Sequence, residues 1–453
     1  MLKRKIHPQI VEYLSSDSKR MLVVDGARQV GKSFIIRRIG KEMFKNYVEI
    51  NMESDKQNER LFAEATSVEK FYLALSSIAG DRLGERHDTL VFIDEIQAYD
   101  HLLTLVKFLM EEHRFTYIGS GSLLGVTLKK TQSIPIGSLE QLHMYPLDFE
   151  EFLWANGMGE YATGEMRNSF EAGEPLSAAM HAKVMDLFRR YLLVGGMPDA
   201  VNTYISEHNI FKVRSVQQDI WTLYGDDAAK YEREASRKLK VKRIYEMIPS
   251  NLCNKKKRIK VKDIEGVEGK RTSSYQDEFD YLISSGIALE VDAISQPTYP
   301  LVQNAGKNLL KLYMNDVGIF TGILYQNNIM PILGDRGSIN LGAVYENVVA
   351  QELRTHGYRL YYYDNKQHGE VDYLVDDVGN LSVLPIEVKS GKDYTVHSAL
   401  NRFLKVPDYH IRRGIVLSNE PNVFVDGTVT YMPIYYVMFL DHDSLPAASQ
   451  VQF

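Results

Sequence analysis

At 453 residues the chain is too long for a single hydrophobic core, so roughly two to four domains are expected. Hydrophobic and charged fractions of 44% and 25% are ordinary for a globular protein, and a net charge of −6 excludes a molecule that grips nucleic acid over its whole surface, leaving only local basic patches. Cys253 is the only cysteine, which excludes an intrachain disulfide and any zinc site built on several thiolates, and suits a reducing compartment.

The opening residues, Met1 to Pro8, are basic but lack an apolar stretch behind them, so no signal peptide is expected. No apolar run approaches the roughly 18 residues of a membrane helix, and a cytoplasmic protein is the expectation. Ile6 to Leu14 has the spacing of a short amphipathic helix.

Met21 to Val24 then reads as a buried strand, followed by Gly26-Ala27-Arg28-Gln29-Val30-Gly31-Lys32-Ser33 and a helix from Phe34 to Phe44. Strand, glycine-rich bend and helix in that order describe a phosphate loop. The two glycines permit turns that a side chain would block, so backbone N–H groups cradle phosphates. Lys32 is placed to reach the β- and γ-phosphates and Ser33 to put its hydroxyl on Mg²⁺, while the helix adds its positive end beside Phe34.

Tyr47 to Met52 reads as a second strand and Val68 to Ala79 as a helix. Thr89 to Asp94 is an apolar run ending in Asp94-Glu95, the pattern of a buried parallel strand whose carboxylates emerge at the edge carrying the phosphate loop. Asp94 suits a contact to Mg²⁺, and Glu95 suits polarising the water that attacks the γ-phosphate. Phe115 to Gly119 is the next strand. Ser120 at its end, or secondarily Ser122, is positioned to sense the γ-phosphate. Capping of a helix that begins near Leu123 accounts for such a hydroxyl equally well.

Taken with Tyr145-Pro-Leu-Asp-Phe-Glu-Glu-Phe152 and Tyr191-Leu-Leu-Val-Gly-Gly-Met-Pro198, these motifs resemble the prokaryotic AAA-type ATPases related to the archaeal ATPase family. The resemblance covers nearly the whole chain and implies ATP as the nucleotide, a winged helix after the core, and a C-terminal domain of uncharacterised function. Relatives carry Gly-Arg shortly before the Pro-Leu segment. This chain has Gly137-Ser138, a departure that puts an arginine acting in trans from that position in doubt. Arg189 and Arg190 are alternatives as lid residues or as a solvated helix face.

From about Met197 to Pro300 the chain is helical, with apolar spacing over Phe211 to Tyr224 and Arg237 to Ile248. Lys255 to Lys262 holds six basic residues in eight positions, and Thr272 to Gly286 looks like a capped helix ending at glycine. With Ile287 to Val291 as a wing strand, the arrangement is that of a winged helix. The Arg271 to Gln276 end would then enter a major groove and the lysines would meet phosphates. An interdomain or protein-binding module remains the other reading, because Asp277, Glu278 and Asp280 on the same helix repel phosphate.

After Lys311 to Gly318, the chain offers a helix from Gly342 to Leu353 and strands over Tyr358 to Asp364, Gly369 to Val375 and Leu384 to Ser390. Strand alternation puts Glu387 and Lys389 on one face and Glu370 and Asp372 on another. If the hairpin registers so that the faces coincide, Asp372 and Glu387 converge with Lys389 beside them. Two carboxylates to hold Mg²⁺ and an ammonium at the reacting water is the layout of a metal-dependent phosphodiesterase. This run is similar to the PD-(D/E)XK nuclease superfamily, which implies Glu346 as a further acid on the metal. A nuclease fold that no longer cuts is the competing reading. Further on, Tyr394 to Phe403 reads as a helix and Gly414 to Ser418 and Pro433 to Phe439 as strands, while His356, His368 and His397 read as surface or structural residues.

The expected architecture is α/β throughout. A P-loop NTPase parallel-sheet core (1–155) precedes a helical lid region (156–230), a winged-helix-like domain (231–305) and a nuclease-like α/β domain (306–453). ATP and Mg²⁺ are the expected ligands, and DNA and either a protein partner or a second copy of the chain the expected partners. ATP-regulated handling of DNA is the expected function, with a regulatory switch whose C-terminal domain docks without cutting as its rival.

Overall fold

The computed structural model describes residues 2–122, 136–230, 235–259, 261–266, 272–334, 341–391 and 393–442. The helix start expected near Leu123, Lys260 of the basic run and Arg271 of the expected recognition helix lie outside them. Two compact units form, one from residues 3–145 with 284–287 and one from residues 146–283 with 288–453.

The first unit is built on five parallel strands, β1 (Met21–Asp25), β2 (Asn46–Asn51), β3 (Thr89–Asp94), β4 (Thr116–Gly121) and β5 (Leu139–His143), in the order β2-β3-β4-β1-β5. All six residues of β3 and the first four of β1 are buried, which is why both are nearly continuous apolar runs. At the sheet edge, β2 buries only Val48 and Ile50. Parallel neighbours require crossovers, and helices supply them. Lys32–Met43 buries Ile35, Ile36 and Ile39, Val68–Ala79 buries Phe71, Tyr72 and Leu75, and Asp100–Glu112 buries Leu102, Leu103, Val106 and Leu109. This is the P-loop NTPase arrangement. It sets Asp25 beside Gly121 and Asn51 beside Asp94 at the C-terminal edge of the sheet.

The second unit begins as helices, including Phe149–Ala155, Ala178–Val194, Ile210–Lys230 and Ala235–Cys253. It then forms a mixed eight-stranded sheet of β6 (Ala288–Ile294), β7 (Ala305–Met314), β8 (Tyr361–Asn365), β9 (Gly369–Asp377), β10 (Ser382–Val388), β11 (Gly414–Ser418), β12 (Phe424–Asp426) and β13 (Val429–Pro433), ordered β12-β13-β11-β10-β9-β8-β6-β7. The strand expected as a wing is β6. It pairs antiparallel with β7 but also parallel with β8, so it lies inside this sheet. The expected strand over Pro433 to Phe439 is a buried 3₁₀ helix, Ile434–Phe439, because an unbroken apolar run has no period to separate a strand from a buried helical turn.

The motifs at 145–152, 191–198 and 311–318 meet in this unit. Gly195 (φ 73°) ends its helix, and Gly196 accepts a hydrogen bond from Leu147 N (2.7 Å) while donating to Asp316 Oδ2 (2.6 Å). A Cβ on Gly196 would stand 2.0 Å from Leu147 O, so only glycine fits. The glycine pair and Asp316 therefore serve a backbone crossing in the second unit's core. Among the described residues no helix is long and apolar enough to cross a membrane.

Candidate nucleotide site and a second carboxylate cluster

Gly26 leaves β1 with φ 138°, and a Cβ there would lie 2.2 Å from Met144 O, so the bend admits no side chain. Gln29 (φ 66°) and Gly31 (φ 98°) make two further left-handed turns, the second as the cap of the helix Lys32–Met43. Ala27 and Val30 are buried as packing residues, while Phe34 is 59% exposed.

Lys32 is buried, and its Nζ folds back to donate to Gly26 O (2.9 Å) and Ala27 O (2.7 Å). Burial pushes its pKa down to about 8, against the pull of Glu95, Asp94 and Asp25. An ammonium held by neutral carbonyls in a low-dielectric bend is a site prepared for an anion.

Asp94 is the hub on the acidic side. Its Oδ1 accepts from Ser33 Oγ (3.0 Å) and from Ser120 Oγ, and its Oδ2 accepts from Asn51 Nδ2 (2.9 Å). Glu95 turns off the strand end in a left-handed conformation (φ 50°), where it accepts from Ser122 Oγ (3.1 Å) and Gln97 Nε2. Arg28 Nε donates to Ser122 Oγ at 3.4 Å. Ser120 and Ser122 thus serve different acids. A hydroxyl and a carboxylate oxygen 3.0 Å apart beside a buried lysine are hard ligands that suit Mg²⁺ next to phosphates. Two contributors carry no sequence motif. Arg4 donates to Val30 O (3.1 Å) and Tyr145 O (2.7 Å), tying the loop to the chain after β5, and Asn51 orients Asp94 from the neighbouring strand.

Arg190 binds Asp186 and Tyr204 at 2.8 Å each on an exposed helix face, within the second unit.

In that second unit β9 and β10 pair antiparallel as far as Tyr373 opposite Ile386, and Asp372 and Glu387 follow immediately beyond that last pair. Asp372 Oδ2 accepts from Val388 N (2.9 Å), and Lys389, just past the strand end, donates to Glu387 Oε1 (2.8 Å). Glu346, on the helix Gly342–Thr355, is buried and accepts from Tyr313 OH (3.1 Å) and from Lys257 Nζ. Lys311 pairs with Glu370, and Arg258 pairs with Asp364. Burial and the Asp372 charge raise the Glu346 carboxyl and push Glu387 up to about 8, with Lys257 and Lys389 respectively opposing. The donor types suit Mg²⁺, but among the described residues no three His, Cys, Asp or Glu side chains are close enough to share a metal ion. Lysines engage the acids instead.

Of the histidines His356, His368 and His397, the side chain of His356 is buried 3.6 Å from Asp148 and His397 is buried against Tyr431 OH, while the backbone of His368 accepts from Arg402.

Residues 18–153 match a family model described as an AAA domain, and residues 185–328 and 341–437 match two described as domains of unknown function, DUF8612 and DUF4143. No curated protein matches the chain. Among solved structures, the Walker-type ATPase PABY2304 of Pyrococcus abyssi is 15% identical, over 71% of this chain and 95% of that chain, with a TM-score of 0.42. The S. cerevisiae Hsp104–ADP complex is 12% identical over 63% and 38%, with a TM-score of 0.30. The Thermotoga maritima RuvB Holliday junction branch migration motor is 15% identical over 63% and 89%, with a TM-score of 0.29. At these scores the likenesses assign no activity. The AAA match coincides with the loop and acidic strand described above, and residues 18–153 form a nucleotide-binding P-loop ATPase domain of AAA type.

Proposed function

We propose that the protein hydrolyses ATP with Mg²⁺ at the Gly26–Ser33 loop and uses the nucleotide cycle to control the handling of DNA by its C-terminal carboxylates. The observation that carries the first half is the convergence of Ser33, Ser120 and Asn51 on Asp94 beside the buried Lys32. In this reading Lys32 binds the β- and γ-phosphates, Ser33 and Asp94 hold the magnesium, and Glu95 takes a proton from the attacking water once Ser122 and Gln97 release it. Bound Mg²⁺ would neutralise charge on the phosphate oxygens. Ser120, on the same Asp94 oxygen as Ser33, would report whether the γ-phosphate is present.

For the second half, Asp372 and Glu387 lie just beyond the last pair of the β9–β10 hairpin, with Lys389 bonded to Glu387, after a helix bearing Glu346. From the run that starts at Lys255, Lys257 pairs with Glu346, and the exposed Lys255 and Lys256 beside it are available to a phosphodiester backbone. The four-part division into ATPase core, helical lid, winged-helix-like and nuclease-like segments belongs to this proposal, as do a cytoplasmic location and self-association. The pairing of Glu346 with Lys257 and of Glu387 with Lys389 favours a second reading, in which the C-terminal domain docks a partner without cutting and the ATPase acts as a timer.

Purified wild type and Lys389→Ala, incubated with Mg²⁺ and branched or single-stranded DNA, separate the two. Cutting by wild type that falls by about a hundredfold or more in the variant supports the nuclease. Wild type that hydrolyses ATP yet leaves every DNA intact supports the switch.

A further inference from the structure

The basic run from Lys255, expected to face DNA or solvent, instead turns its middle inward. Lys257 Nζ pairs with Glu346 Oε1, and both side chains are largely buried, at 17% and 7% exposed. Next to it Arg258 donates to Tyr362 OH (2.8 Å) and pairs with Asp364. Lys257 takes up a left-handed backbone (φ 49°), which is unfavourable for a non-glycine residue and is held by these contacts. Beyond Glu346, the Lys257 ammonium also feels Asp372 and Glu370. One oxygen of this cluster is left over: Glu387 Oε2 is buried with no hydrogen-bond partner, on a residue that is 5% exposed, while its other oxygen holds Lys389. A buried carboxylate oxygen without a donor is costly and marks a place that a cation fills. Glu346, Glu370, Asp372 and Glu387 face Lys257, Lys311 and Lys389, so once metal binding has taken the protons off the carboxyls, withdrawing Lys257 leaves four carboxylates against two lysines. That excess of two negative charges is the complement of one divalent ion.

We propose that Lys257 is a built-in plug whose ammonium stands in for a divalent cation at Glu346, and that its segment must withdraw before Glu346, Asp372 and Glu387 can share a metal. The proposal rests on the reading of these acids as a metal-dependent site. It explains why carboxylates of the right type do not form a metal shell here. The neighbouring Lys255 and Lys256 are exposed, so a polyphosphate backbone landing on them competes for the same run and pulls Lys257 outward.

Iron(II) with ascorbate and peroxide cuts the polypeptide beside a bound ion, so fragment size reports which acids hold the metal without any catalytic assay. Full-length wild type, Lys257→Ala, Lys257→Gln and Lys257→Gln/Glu346→Gln are compared; the glutamine variant keeps the stem and removes the charge should alanine fail to fold. The expected result is cleavage near Asp372 and Glu387 that is at least about tenfold stronger in the single variants than in wild type, competed by Mg²⁺ and lost in the double variant. Equal cleavage at these positions in wild type and Lys257→Gln overturns the plug while leaving the metal site standing. Absence of cleavage there in every variant removes both.

Discussion

Lys32 and Lys257 are both largely buried ammonium groups near acids, yet they are held in different ways. Lys32 donates to two neutral carbonyls of its own loop, and Asp94, one of the acids whose charge it feels, is occupied by Ser33, Ser120 and Asn51. Lys257 is bonded to the carboxylate itself. An incoming phosphate displaces only carbonyls from Lys32 and recovers the desolvation already spent on burying the charge. A metal approaching Glu346 must first break a buried ion pair, a step on the order of 3–5 kcal/mol if one charge is left alone. One site is prepared for its ligand and the other is closed against it, although both are assembled from lysine and carboxylate.

The contrast can be broken most severely at the prepared site. Replacing Lys32 with alanine removes the buried cation on the Gly26 and Ala27 carbonyls, and ATP turnover should fall by about 10²–10³-fold with little change in circular dichroism. A loss of less than about fivefold would place the phosphates elsewhere.

A third buried acid sharpens the comparison from the side of stability. Asp316 is satisfied by backbone N–H groups, accepting from Gly196 N (2.6 Å) and capping its helix at Ile319 N (2.9 Å). Asp316→Ala orphans both donors and should cost about 2–4 kcal/mol. The chain's two tryptophans, Trp154 and Trp221, both lie in the second unit, so urea unfolding followed by their fluorescence reads this loss directly.

The same residue gives a pH signature. Burial pushes the Asp316 carboxyl up to about 6, against the hydrogen bonds from Gly196 and Ile319. The folded state therefore keeps a proton that the unfolded chain, with a pKa of about 4, has released. Its contribution is full below about pH 4 and is lost as pH rises through 6. The stability difference between wild type and Asp316→Asn should shrink steadily across that window, and a flat difference would show that the group is ionised throughout.

The smallest expected effect is at Asn51, which only orients Asp94. Asn51→Ala should lower ATP turnover by about five- to tenfold, corresponding to one neutral hydrogen bond to a carboxylate. A loss as large as that of Lys32→Ala would make Asn51 a direct contact to the nucleotide.

How much of this was readable beforehand follows from how local each feature is. The phosphate loop and Asp94-Glu95 were legible because spacing and the apolar runs of β1 and β3 express burial on both faces of a parallel strand. The helix Val68–Ala79 was legible to the residue, with Ser67 capping it and apolar side chains at helical period. The hairpin of β9 and β10 that brings Asp372 near Val388 was legible from the two apolar runs separated by a turn at 376–380. Arg4, Asn51 and Lys257 were not legible. Their partners lie 26, 43 and 89 residues away, so each contact depends on how whole elements pack. Lys257 shows the cost most clearly: a run of lysines looks the same in sequence whether it meets solvent, phosphate or a buried glutamate.

The central claim, that ATP and magnesium sit between Lys32 and Asp94 with Glu95 as the base, is tested most directly by Glu95→Gln. Equilibrium binding and turnover of ATP are measured together on wild type and variant. The account predicts that the variant retains ATP with Mg²⁺ at one equivalent per chain while turnover falls by about 10²-fold or more. A variant that hydrolyses ATP at the wild-type rate, or a wild type that neither retains nor hydrolyses it, would contradict the account.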